Sequence, residues 1–257
     1  MNNVVLGQRA DRTAVYLGLA GVAAVGWAVT VRLAAGMRLP EDPAEMASAM
    51  PSAGTQLLLT AAMWAAMMVG MMVPSATPMV VAYTEWTRRG AGNGRRAIAV
   101  ASFLAGYLVV WSAFSLMAAG LHVALDRAGL LTSMGAVARP VVGGTLLVVA
   151  GAFQLSPWKE SCLRACRSPF GFLVGEWRDG ARGALTMGVR HGALCLGCCW
   201  LLMAVLFVVG TMHLAWMAAV AVFVLVEKVA PRRLRVGRTG AVVLIGWGMW
   251  TLLAAPA

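Results

Sequence analysis

Seven stretches of the chain stay apolar for about 20 residues, the length that carries an α-helix across the hydrocarbon of a bilayer. They cover 14–35, 55–82, 97–121, 137–155, 184–209, 212–230 and 239–256. Only Gly210 and Thr211 divide the fifth from the sixth. The pattern predicts an all-α fold: a polytopic membrane helix bundle of about seven transmembrane helices, with residues 1–257 forming a single helical domain. The longest polar connection, 157–183, predicts a short helix in its first half, stopped by Pro169 and Gly171. Pro74 and Pro78 fall in the second span, and each removes a backbone hydrogen bond, so a bend is expected there.

Charge then orients the bundle. The 257 residues are 60% hydrophobic and 12% charged, with a formal net charge of +11. Arg9 and Arg12 precede the first span, and Arg88, Arg89, Arg95 and Arg96 follow the second. Lys159, Arg164, Arg167, Arg178 and Arg182 follow the fourth, and Lys228, Arg232, Arg233, Arg235 and Arg238 end the sixth. These are alternate loops, whereas 36–54 holds Glu41, Asp42 and Glu45. The positive-inside rule therefore expects a cytoplasmic N-terminus, an external C-terminus and a cytoplasmic 157–183 loop. Topology accounts for the basic residues, so the expected partner is the lipid bilayer and no nucleic acid. The first span lacks a small-residue cleavage site and reads as retained.

Candidate chemistry is concentrated in sulfur. The segment MWAAMMVGMMVPSATPM (63–79) holds six methionines and two prolines. Helical spacing puts Met63, Met67 and Met71 on one stripe and Met68 and Met72 on the next. A thioether is neutral and soft, so it sits in hydrocarbon at little cost and favours Cu(I) over hard cations; the same residues also serve as flexible packing. In GALCLGCCW (192–200), Cys195 and Cys199 are related by i, i+4, with Cys198 one turn from Cys195. Cys162 and Cys166 form another i, i+4 pair among basic residues, without the spacing of a zinc knuckle. His191 stands four residues before Cys195, and Met203, Met212 and Met217 lie along the same two spans. Glu227 and Lys228 end the sixth span. Lys228 is expected to snorkel toward the interface, and Glu227 to support a ligand or carry a proton.

Four blocks occur in order: MWAAMMVGMMVPSATPM, QLSPWKESCLRACRSP, GALCLGCCWLLM, and GTMHLAWM followed by VEK. In them, over about residues 55 to 230, the chain resembles a bacterial family of uncharacterised polytopic proteins, described as predicted metal-binding integral membrane proteins with a domain of unknown function. The resemblance implies metal binding through the Met, Cys and His positions above and supplies no reaction. It places the protein in the bacterial inner (cytoplasmic) membrane as a multi-pass protein.

Three readings stand. The first is binding of a soft metal ion, Cu(I) or another soft metal, for transport, storage or delivery, along a ladder from external Met46 and Met50 through the Met stripe to the cysteines. A soluble metallochaperone or a membrane metalloenzyme is the partner this implies. The second is a thiol-redox protein using Cys195, Cys198 and Cys199, or Cys162 and Cys166. The third is a structural or assembly protein without metal. The sequence contains no P-loop for nucleotide binding and no catalytic constellation, so a non-enzymatic role is expected.

Overall fold

Helix starts follow local chemistry. Ser52 accepts a hydrogen bond from Thr55 N (3.3 Å), Ser156 accepts one from Lys159 N (3.1 Å) just before Pro157, and Pro140 and Pro169 occupy first-turn positions. The structure is a computed structural model that describes residues 2–36, 52–88 and 93–255. Its helices are α1 (Asn2–Gly36), α2 (Ala53–Thr87), α3 (Asn93–Arg127), α4 (Pro140–Gln154), α5 (Pro157–Arg167), α6 (Pro169–Glu176), α7 (Gly180–Ala204), α8 (Leu206–Val209), α9 (Leu214–Val229) and α10 (Val236–Leu253). Among the described residues, extended pairing is confined to one isolated bridge, Leu131 with Val137. Met37, Met46, Met50, Glu41, Asp42, Glu45 and Arg89 lie outside the described residues.

Each apolar run is helical. Five helices are long and apolar enough to cross a membrane, or six if α4 and α5, bent by 61° at Leu155–Ser156, count as one. The expected seven are not all of that length: α4 has 15 residues and α9 has 16. At 1.5 Å per residue these reach about 22 to 24 Å, short of a hydrocarbon core of about 30 Å.

Three details sharpen the pattern. The fourth run begins at Pro140 rather than 137, because Val137 N bonds Phe207 O (2.7 Å) and holds the preceding residues extended. Residues 157–183 hold two helices, since Pro169 opens α6 instead of ending the segment, and Gly171 lies inside it. Finally, α2 remains one helix through Pro74 and Pro78. Ser75 Oγ donates to Met72 O (2.9 Å) and Thr77 Oγ1 to Val73 O (3.3 Å) along that stretch.

The break between α8 and α9 falls at Gly210, as the sequence suggests. Its φ is 93°, and a Cβ there would stand 2.9 Å from Met134 O, so both backbone and space favour glycine.

Close helix contacts organise the rest: α3 packs on α7, α4 on α10, and α2 on both α1 and α3. At the α3–α7 crossing, a Cβ on Gly188 would lie 2.8 Å from Phe103 C, and one on Gly106 would lie 2.8 Å from Val189 N. Small residues thus set the distance between the helices that carry Tyr107 and the cysteines. Gly188→Ala is expected to lower stability by about 1–3 kcal/mol through overpacking. Gly120→Ala, where a Cβ meets nothing within 4 Å, should leave it unchanged. Thermal unfolding of detergent-purified protein compares the two; equal effects would remove the crossing as a constraint.

Candidate metal centre

The methionine-rich turns of α2 face inward. Met63, Met67, Met68, Met71 and Met72 are each 0–1% exposed. They belong to one contiguous buried cluster with Cys166, Cys195, Cys198, Cys199, Met203 and Met217, against which Cys162 and Met212 pack while only partly buried. Two helices from separate parts of the sequence thereby share one sulfur-rich core. All five cysteines are free thiols.

At the centre of the polar part stands Cys195. Lys228 Nζ donates to its Sγ (2.8 Å), and Tyr107 OH lies 3.1 Å from the same sulfur. Lys228 Nζ also donates to Ser75 Oγ (2.9 Å), which in turn lies 4.0 Å from Met72 Sδ. Tyr107 OH donates to Met72 O (3.1 Å). Two short chains of contacts therefore connect Met72 on α2 to Cys195 on α7. Cys198 and Cys199 turn their thiols back to Cys195 O, at 3.0 and 2.9 Å. Across the α5–α7 interface Cys166 pairs with Cys198, while Cys162 Sγ sits where a Cβ on Gly197 would come within 3.0 Å.

The expected snorkelling of Lys228 is corrected. Its side chain is buried among α2, α7 and α9, because Cys195 and Ser75 supply the acceptors that an interface would otherwise provide. Glu227, its neighbour in sequence, points elsewhere: Oε2 accepts from Lys159 Nζ (2.6 Å), and both partners are buried. Its Oε1 has no hydrogen-bond partner and lies 2.8 Å from the Cβ position of Gly237. Arg167 donates through Nε (2.8 Å) and Nη2 to Glu227 O. A cavity of about 680 Å³ opens beside this pair, lined in part by Gln154, Lys159, Leu163, Arg167, Glu227 and Gly237.

His191 is buried, but its neighbours are aromatic. Its ring stacks on Tyr107 (centroids 5.7 Å) and Phe103 (6.0 Å) and meets Phe172 edge-on (5.5 Å), and Nδ1 has no hydrogen-bond partner. Among the described residues, no group of three or more His, Cys, Asp and Glu side chains forms a site able to hold a metal ion. Any third donor to a pair of thiols in this core would be a thioether, and that donor set is soft.

Sequence reasoning missed Lys159, Ser75 and Tyr107. Lys159 reads in sequence as a topology charge and as one of the cations around Cys162 and Cys166, and its i, i+3 and i, i+7 relations to them put it on the cysteine face of α5, but its pairing with Glu227 carries no sequence signal. Tyr107 is a lone phenol inside the apolar run 97–121, a place where a polar group needs a partner. Ser75 between Pro74 and Pro78 carried no comparable signal.

Fold and core together define a class: an all-helical protein with several helices able to cross a membrane and a buried interior of thioethers and thiols. Within that class, the chain belongs to the PpoB2 family of copper chaperones, whose model matches residues 61–251. The match runs from the methionine turns of α2 into the last turn of α10. No curated protein and no solved structure matches the chain.

Removing one partner of a buried ion pair leaves an uncompensated charge, at a cost of about 3–5 kcal/mol. Lys159→Met should therefore destabilise the protein by that order, and Lys159→Met with Glu227→Leu should recover most of the loss. Unfolding of both variants in the same detergent measures the coupling, and a double variant no better than the single one would dissolve it.

Proposed function

We propose that the protein is an integral membrane copper chaperone that holds Cu(I) between α2 and α7, using Cys195 with a neighbouring thiol of the cluster and thioethers of the Met63–Met72 stripe. The observation that carries this reading is the common burial of those side chains in one core, with Met72 and Cys195 bridged through Ser75, Lys228 and Tyr107. The family's description as copper chaperones supports the choice of metal. Soft, neutral donors suit the reduced ion and give no preference to hard cations. Delivery to a metalloenzyme, or receipt from a soluble metallochaperone, is the matching role.

The chain crosses the bacterial inner membrane seven times, with the N-terminus inside and the C-terminus outside. Contacts at both ends of α4 support seven crossings. Val137 meets Phe207 and Met134 meets Met212 at one end, whereas Gln154, Glu227 and Gly237 share the cavity at the other. The short helices α4 and α9 thus share both ends with one another, their inner ends lying beside Trp200 and Cys195 of α7 rather than beside its first turn at Gly180, and the basic residues that follow them mark that side as cytoplasmic.

One observation favours thiol redox, namely Cys166 beside Cys198. Both are buried, however, and a thiol–disulfide partner needs access to the attacked sulfur. Copper ligation also accounts for the methionines.

Changing Met67, Met68, Met71 and Met72 together to Leu keeps the core apolar and close in volume, at about 1.5 kcal/mol or less per site. Protein purified anaerobically from copper-supplied cells should carry copper, and this variant and Cys195→Ser should lose most of it while retaining helicity. Copper unchanged in both would return the sulfur core to packing.

A further inference from the structure

Lys228 is a positive charge fixed inside a sulfur core, and a charge there decides which ions the core can neutralise. We infer that Lys228 sets the protein's selectivity for monovalent soft cations, Cu(I) and Ag(I), over divalent ones such as Cd²⁺ and Zn²⁺. The inference rests on the copper-binding reading above and specifies its charge balance.

The placement is direct. Nζ is 2.8 Å from Cys195 Sγ and 2.9 Å from Ser75 Oγ, and the side chain is buried. A metal bonded to that sulfur, at about 2.3 Å, stands within about 5 Å of the ammonium. Of the other charged groups at this end of α9, Lys159 and Glu227 neutralise each other, and Arg167, which caps the backbone of Glu227, lines the open cavity where solvent screens its charge. Lys228 is therefore the net charge that the cluster sees.

Two thiols complete the balance. Cys195 and either Cys198 or Cys199, whose thiols both turn to Cys195 O, give up their protons to water when a metal binds. The pair then carries two negative charges and the ammonium one positive charge. A monovalent ion brings the assembly to neutrality, and Met72 can add a neutral thioether. A divalent ion leaves one uncompensated positive charge in a low-dielectric interior, which is strongly disfavoured. With Lys228 replaced by a neutral residue, the two thiolates match a divalent ion instead.

The test uses full-length protein purified anaerobically in detergent, offered equimolar Ag⁺ and Cd²⁺ and then desalted for metal analysis. Wild type should retain silver in preference to cadmium. Lys228→Gln should move the silver-to-cadmium ratio toward cadmium by at least about tenfold, since one charge at this distance is worth about two orders of magnitude at an effective dielectric constant of about 20. Lys228→Arg should keep the wild-type ratio. A merely structural lysine would change total metal or stability without changing the ratio. An unchanged ratio in folded Lys228→Gln overturns the inference while leaving the copper reading intact. If that variant does not fold, Lys228→Met serves in its place, and wild type that holds Cd²⁺ as tightly as Ag⁺ overturns the inference whatever the variants do. Wild type that retains neither Ag⁺ nor Cu(I) overturns both readings.

Discussion

The last turn of α9 places opposite charges on consecutive residues and sends them to different partners. Glu227 turns toward Lys159 on α5, and Lys228 turns toward Cys195 on α7 and Ser75 on α2. In an apolar interior each charge must find its complement, so this one turn fixes four helices relative to one another. Apolar packing would not do so alone, because it is non-directional. Directional polar contacts give the sulfur core its register. Tyr107 adds α3 to the same joint through Met72 O and Cys195 Sγ.

Around that joint the choice of methionine over leucine acquires a physical reason. Trp64, Phe114, Phe207 and Trp111 crowd the wide end of the core, and flexible thioethers fill the irregular space between them. Packing and ligation thus make compatible demands on the same side chains. A methionine stripe needs no charge and no hydrogen bond to sit in an apolar core. The cysteines are treated differently: Cys198 and Cys199 satisfy their thiols on a helix carbonyl, and Cys195 is left to face the polar groups.

Much of this was legible in the chain because it follows from local periodicity. Each apolar run became a helix, the break at Gly210 lay where glycine interrupts the pattern, and the i, i+4 relations of the methionines and cysteines predicted their shared faces. What the periodicity could not reveal was the partner of a buried charge. Lys228 and Lys159 look alike in sequence, each near the end of an apolar run among other basic residues. Only the approach of α2, α5 and α7 decides that both point inward. Lengths failed for a related reason: α4 and α9 are short because they begin late, after Arg139 and His213, in connections held by backbone bonds such as Val137 to Phe207 and Met212 to Met134.

The second short helix pair also follows from where its sulfur lies. Helix α5 has Cys166 and Leu163 buried against the core, while Lys159, Leu163 and Arg167 line the cavity. One helix thickness therefore separates a polar, open space from the buried sulfur. Glu227 and Lys159 stand between the two, with one carboxylate oxygen unpartnered. For the copper ion proposed above, the thiols of α5 that lie between the cluster and this side are the buried Cys166 and the partly buried Cys162. The basic rim of the cavity, with Arg167, Arg235 and Arg238, disfavours a free cation there. Transfer to a partner that supplies its own sulfur avoids that barrier, since the ion then passes between ligands without being released. On the copper reading proposed above, the arrangement thus suits handover better than conduction.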